Sequence, residues 1–298
     1  MPRAATNGIE LEFETFGDQS NPAMLLIMGL GMQLLAWDER FCRLLADRGY
    51  FVIRFDNRDI GLSSRIEGGP VPNPLQLMAG DYSSASYTLD DMADDTAGLL
   101  DALDIDAAHV VGASMGGMIS QTLACRHPER VLSLTSIMSS TGSQATGQPT
   151  PEALAALITP VPTDREGYLD ATMKIWKMIG SKGYPTDESE LRTMLGAAYD
   201  RSYDPLGFLR QLAAIAASGD RSSAICSISA PTLVIHGEDD PLIQVSGGEA
   251  TAAAIPGSKL IKIPGMGHDL PPQLWPQFID AIVENAERAG APAGAAGS

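Results

Sequence analysis

The chain has 298 residues, 44% of them apolar, and 20 Lys and Arg against 37 Asp and Glu give a net charge of −17. That length holds one large α/β domain, or a core domain with a smaller insertion. So acidic a surface repels phosphate backbones and anionic lipid headgroups, which argues against nucleic acid or a membrane surface as partner.

Residues 9–16 alternate apolar and polar side chains, as a half-exposed strand does. Residues 17–22 are a turn cluster, and 23–28 form a continuous apolar run, the pattern of a strand covered on both faces. Gly29-Leu30-Gly31 ends that run. A helix is expected over 37–48, with Phe41, Leu44 and Leu45 on one face, and a strand over 51–55. A long loop then extends to about Thr88, which with Asp90 or Asp91 caps a helix reaching about Leu103. Val110-Val111 leads into Gly112-Ala113-Ser114-Met115-Gly116-Gly117, helical character continues to about His127, and 131–138 is another apolar strand.

Residues 139–151, rich in Ser, Thr, Gly, Gln and Pro, interrupt this alternation. Helical pieces follow over 168–179, 188–198 and 205–217. We therefore expect a helical cap over 141–220, inserted into a core made of 1–140 and 221–290. Alternation resumes with a strand over 232–236, a helix over 247–254, a strand over 259–263 and a last helix over 272–289. The small residues of 291–298 are expected to form a disordered tail. The whole reads as an α/β fold with a mostly parallel central sheet and helices on both faces.

Cys42, Cys125 and Cys226 are odd in number and far apart, and read as reduced thiols rather than a disulfide framework or zinc site. The first eight residues have no apolar signal core, and no apolar run reaches spanning length, so a cytoplasmic protein is expected. There is no Gly-x-Gly-x-x-Gly loop and no His-Glu-x-x-His helix, and neither cofactor nor metal is expected.

The chemistry is concentrated at Gly112–Gly117. A strand, a tight turn and a helix in succession are the setting of a nucleophile elbow. Gly112 and Gly116 leave room for a strained serine backbone, and the turn lifts the Ser114 hydroxyl clear of the sheet. The helix start aims the Met115 N–H, and the positive end of its dipole, at the same place. Sites on open α/β sheets form beyond the carboxyl ends of strands. Leu30, Ser114, the Glu238-Asp239-Asp240 run and His268 all follow expected strands. Of the four histidines, His109 begins a strand at the wrong end of the sheet. His127 stands before Pro128 at a helix end, and His236 ends its own strand. His268, in a Gly-rich loop, remains as the base that takes the Ser114 proton. Asp240 is chosen as the acid that orients it, with Asp239 the runner-up. The backbone N–H groups of Met115 and Leu30 are the candidates for an oxyanion hole.

These stretches together resemble the α/β-hydrolase superfamily across roughly residues 8–140 and 220–290. The resemblance is carried by Gly112-Ala113-Ser114-Met115-Gly116-Gly117, Asp56-Asn57-Arg58-Asp59-Ile60-Gly61-Leu62-Ser63, His236-Gly237-Glu238-Asp239-Asp240-Pro241 and Gly265-Met266-Gly267-His268. It implies Ser114 as nucleophile, Asp240 as acid, His268 as base, and Leu30 and Met115 in the oxyanion hole. It also implies a bracing role for the Asp56–Ser63 stretch. Many members carry His-Gly where this chain has Met28-Gly29. Met28-Gly29, with Asn57-Arg58-Asp59 and then Gly61 and Ser63 later, looks like the branch holding aclacinomycin methylesterase and related small-ester hydrolases. A serine at the elbow argues against the dehalogenases and epoxide hydrolases of the same fold, which use aspartate there.

The leading functional reading is hydrolysis of small to medium hydrophobic carboxylic esters, with an ester substrate as the small-molecule partner. Either a monomer or a homodimer fits. In the cap, Met173, Trp176, Met178 and Met194 read first as packing, and Met173 and Trp176 are the candidates for the substrate pocket. A C–C hydrolase acting on β-diketones or keto-acids would reuse the triad but needs a polar clamp, for which Arg201 and Arg210 are the candidates. A ligand receptor of the same fold, with little turnover, is a third reading.

Overall fold

The computed structural model describes residues 2–290. The tail expected over 291–298 lies outside the described residues. β1 (Arg3–Thr6) and β2 (Ile9–Phe16) form an antiparallel hairpin. Its turn is Asn7-Gly8, at φ of 40° and 78°, the pairing that matches the twist of the flanking strands. Next come β3 (Ala23–Ile27), α1 (Glu39–Ala46), β4 (Phe51–Phe55), α2 (Pro74–Met78) and α3 (Leu89–Ala102). β5 (Ala108–Ala113), α4 (Met115–Arg126) and β6 (Val131–Ile137) follow. Then α5 (Pro151–Ile158), α6 (Arg165–Ile179), α7 (Glu188–Arg201), α8 (Pro205–Ser218) and α9 (Ser222–Ile225) precede β7 (Thr232–Gly237). α10 (Val245–Ala254), β8 (Lys259–Ile263) and α11 (Trp275–Glu287) complete the described chain.

The eight strands form one sheet in the order β1-β2-β4-β3-β5-β6-β7-β8. From β4 to β8 all neighbours are parallel, and β2 runs against β4. Alternate residues of each inner strand serve opposite faces. Leu25 and Ile27 of β3 join Val110, Leu134 and the α3 and α4 side chains Leu99, Leu100, Ile119 and Leu123. Met24 and Leu26 point the other way, into a cluster with Val111, Ile137 and Ile235, Phe41 and Leu45 of α1, and Phe278 and Ile282 of α11. Each such fully buried side chain contributes about 1.5–3 kcal/mol. A parallel sheet needs both faces covered, which accounts for the unbroken apolar runs.

The observed elements differ from expectation where caps and prolines act. The loop over 56–88 contains a short helix, α2, started by the Asn73 side chain on Leu75 N–H with Pro74 in its first turn. α1 is shorter than 37–48, because Asp38 caps it and a 3₁₀ turn, Leu34–Ala36, precedes it. The last helix likewise opens with a 3₁₀ turn at Pro272–Leu274. Thr88 and Asp91 close a full capping box on α3. Among the described residues, no helix is long and apolar enough to cross a membrane.

The helical segment between β6 and β7 leaves and rejoins the core at one point. Arg221 fastens it there: its N–H donates to Thr141 O at 2.8 Å, Nη2 to Ser140 O at 2.8 Å and Nη1 to Gly219 O at 3.1 Å.

Candidate active site

β5 ends at Ala113, and α4 begins at Met115, so a single residue makes the turn. That residue, Ser114, sits at φ 56°, ψ −120°, a conformation costing about 1–3 kcal/mol for a non-glycine. The surroundings hold it there. Ser114 N–H donates to Ile137 O at 2.8 Å, and its carbonyl accepts from Gly117 N–H at 2.9 Å. The turn is also too tight for side chains on either flank. A Cβ on Gly112 would lie 2.2 Å from Gly116 O, and one on Gly116 would lie 2.0 Å from Ile27 O.

His268 Nε2 lies 3.0 Å from Ser114 Oγ, and His268 Nδ1 lies 2.7 Å from Asp240 Oδ2. A neutral ring with its proton on Nδ1 satisfies both partners, leaving Nε2 to accept from the serine hydroxyl. Of the three adjacent acids, Asp240 alone reaches the imidazole. It is buried, whereas Glu238 and Asp239 are exposed. Its other oxygen accepts from Leu242 and Ile243 N–H at 2.8 and 2.9 Å, which fixes the carboxylate plane. The three side chains follow β5, β7 and β8, at the carboxyl edge of the sheet. Gly29 abuts the same place, since a Cβ there would lie 3.0 Å from Ser114 Cβ. Leu30 directly follows Gly29 in the chain, and Met115 directly follows the serine. Met115 opens α4, where N–H groups lack partners within the helix.

A family model described as alpha/beta hydrolase fold matches residues 22–272. The chain belongs to that family. The hydrolase is 30% identical to rhodomycin D methylesterase DauP of a Streptomyces species over 285 residues, covering 88% of this chain and 90% of the relative. It is 26% identical to 3-oxoadipate enol-lactonase 2 of Acinetobacter baylyi, covering 93% and 94%. Among solved structures, the enol-lactonase of Burkholderia xenovorans superposes with a TM-score of 0.73 at 24% identity, covering 96% of this chain and all of that one.

The other histidines of the hydrolase are engaged elsewhere. His109 Nδ1 meets Ser133 Oγ at 2.9 Å, and His127 ends α4 with Nε2 2.7 Å from Asp94. His236 is fully buried, donates from Nε2 to Ile243 O at 2.7 Å, and lies 3.6 Å from Asp240 Oδ2. Burial holds its pKa below the ordinary histidine value, against the pull of the Asp240 charge, so it stays neutral beside the carboxylate.

The stretch Asp56–Ser63 braces the loops under the site residue by residue. Asp56 accepts from Leu34 N–H at 2.7 Å, Leu62 N–H at 2.9 Å and Arg201 at 2.5 Å. Asn57 donates to Met28 O at 2.9 Å, just before Gly29. Arg58 is paired with both oxygens of Asp95. Asp59 accepts from Ile66 N–H at 2.7 Å and Arg210 at 3.3 Å. Arg201 and Arg210 are thus committed to buried carboxylates of the core.

Met173 and Trp176 lie in a small cluster of the segment itself, with Leu169 and Leu195 buried and Tyr168, Leu191 and Met194 against them. Met173 also lines a surface groove with Lys174, Lys177 and Arg192. The contacts seen for both side chains are within the helical segment.

Sequence reasoning missed a set of polar side chains that tie the segment to the site. Ile179 O accepts from His268 N–H at 2.7 Å, and Ser181 Oγ accepts from Gly267 N–H at 2.9 Å. Ser181 donates in turn to Asp269, through its hydroxyl and through its backbone N–H at 3.1 Å. Burial pushes the Asp269 carboxyl above the usual carboxylate range, opposed by these Ser181 donors. Gln211 reaches Gly31 and Arg58. The available signal was the pair Arg210-Gln211 in the otherwise largely apolar run Leu206–Ala217, since a polar group on a buried helix face implies a partner.

Proposed function

We propose that the chain is a carboxylic ester hydrolase working through a Ser114–His268–Asp240 triad and an acyl-enzyme. Ser114 Oγ adds to the ester carbonyl carbon while His268 Nε2 takes its proton. The N–H groups of Leu30 and Met115 receive the charge that develops on the carbonyl oxygen. The tetrahedral adduct collapses, the C–O bond to the alcohol breaks, and His268 returns the proton to the departing oxygen. Water then attacks the acyl carbon with His268 as base, releasing the carboxylic acid and restoring Ser114. Asp240 holds the ring orientation and stabilises the imidazolium without accepting the proton. The helical segment acts as a cap that favours small to medium hydrophobic esters over lipid aggregates.

The observation that carries this reading is the unbroken chain Ser114 Oγ to His268 Nε2 to Asp240, at 3.0 and 2.7 Å. Similarity to rhodomycin D methylesterases along nine-tenths of the relatives' length supports ester cleavage over other reactions of the family. The C–C reading loses its arginine candidates, because Arg201 and Arg210 are paired with Asp56 and Asp59. The test is steady-state hydrolysis of p-nitrophenyl acetate, butyrate, octanoate and laurate by the wild type and Ser114→Ala. Multiple turnover is expected, highest on the short or medium chains and lower in the variant by about a thousandfold or more. A single burst without recovery, or equal rates in both proteins, overturns the reading.

A further inference from the structure

Gly29 to Met32 forms a tight turn closed by Met32 N–H on Gly29 O at 3.2 Å, with Gly31 at φ +72°. Leu30 and Gly31 are its two central residues. The peptide between them presents the Gly31 N–H outward from the turn. Here the peptide is pinned. Gly31 N–H donates to Gln211 Oε1 at 2.9 Å, and Gln211 Nε2 donates to Arg58 O at 2.9 Å. The two partners, one donor and one acceptor, fix which end of the amide faces which. Gln211 is fully buried. On the same helix, Phe208 covers the turn so closely that a Cβ on Gly31 would lie 2.6 Å from its ring. The other end of the loop is held by Asn57 on Met28 O.

We propose that Gln211 is a positioning residue that sets the direction of the Leu30 N–H. It does so by tethering the Gly29–Met32 turn that carries this N–H to α8 through the Gly31 N–H, and so ties oxyanion stabilisation to the seating of α8 over the site. This rests on the esterase reading given above. A donor aimed at the oxyanion acts on charge present only after attack. Its loss lowers kcat and leaves substrate binding nearly unchanged.

The experiment compares wild type with Gln211→Met, which keeps the side chain's length and removes both hydrogen bonds. Rates are expressed per active serine, counted by fluorophosphonate titration. The expected result is a fall in kcat of about 10- to 100-fold, less than loss of a whole oxyanion donor, with KM within about twofold. Affinity for a boronic acid, which forms an anionic tetrahedral adduct on Ser114, should fall in parallel with kcat, while affinity for the product acid is held. A wild type that turns over esters, with Gln211→Met unchanged in kcat and boronate affinity, overturns the inference alone. A wild type that neither hydrolyses esters nor takes up the boronic acid overturns the esterase reading and the inference with it. Should the variant not fold, amide exchange in the wild type decides: a Gly31 N–H that exchanges like that of a free peptide overturns the proposal, and strong protection supports it.

Discussion

The N–H of His268 donates to the carbonyl of Ile179, the last residue of α6, at 2.7 Å. The helical segment thereby grips the imidazole-bearing loop through its main chain, and Gly267 makes the approach possible, because a Cβ there would lie 2.4 Å from Ile179 O. Ser181 reinforces the grip on both sides of the histidine, accepting from Gly267 N–H and donating to Asp269. Ser181→Ala should leave Gly267 N–H without its acceptor and remove one donor from the buried Asp269. The expected cost is about 1–3 kcal/mol of stability, read from urea denaturation. It should also lower kcat for ester hydrolysis more than it raises KM. Unchanged stability would show that water or Thr186, whose hydroxyl lies 3.4 Å from Asp269 Oδ2, carries the load instead.

Backbone strain at Ser114 gives a second expectation. Glycine adopts φ 56°, ψ −120° without the Cβ penalty, so Ser114→Gly should abolish turnover and yet raise stability by about 1 kcal/mol, net of glycine's greater unfolded-state entropy. Ser114→Ala keeps the Cβ and should show no such gain. Urea midpoints of the two variants measured together separate relief of strain from loss of the hydroxyl. Equal midpoints would mean that the turn bears no strain specific to a side chain.

His236 supplies a pH dependence. Its pKa in the folded chain is held below the ordinary value of 6.5 by burial. Between the folded and unfolded values the unfolded chain binds one more proton, so stability is complete above about pH 6.5 and falls as the pH drops. His236→Gln keeps a donor for Ile243 O and does not titrate. The fall in unfolding free energy from pH 6.5 to 5.5 should be smaller in this variant by up to about 1.4 kcal/mol. His109, also held down by burial, remains in both proteins and cancels from the comparison. Parallel stability–pH curves would refute a neutral buried His236.

What was legible in the sequence was local. The Ser114 turn announces itself because glycines are demanded within two residues of it, and the strand ends that carry Leu30, Asp240 and His268 follow from short apolar runs. α2 was missed because five residues give too little periodicity to read, although Asn73-Pro74 marked its start. The ties between the helical segment and the site were illegible for another reason. Gln211 lies 180 residues from Gly31, and Ser181 lies 88 from Asp269. No spacing rule links such positions; only the packing of α6 and α8 onto the sheet brings them together.

The Arg221 clasp bears on how this protein can diversify. Because both stems of the helical segment meet at one arginine, a foreign segment could be spliced between Thr141 and Arg221 without shifting the register of any strand. Such a transplant would still arrive without Arg201, Arg210 and Ser181, and three buried carboxylates, Asp56, Asp59 and Asp269, would lose those partners together. Breaking one buried ion pair by removing a partner costs about 3–5 kcal/mol, so the loss of Arg201 and Arg210 together would consume much of a fold's marginal stability. A recombining segment would therefore have to carry the same three side chains with it.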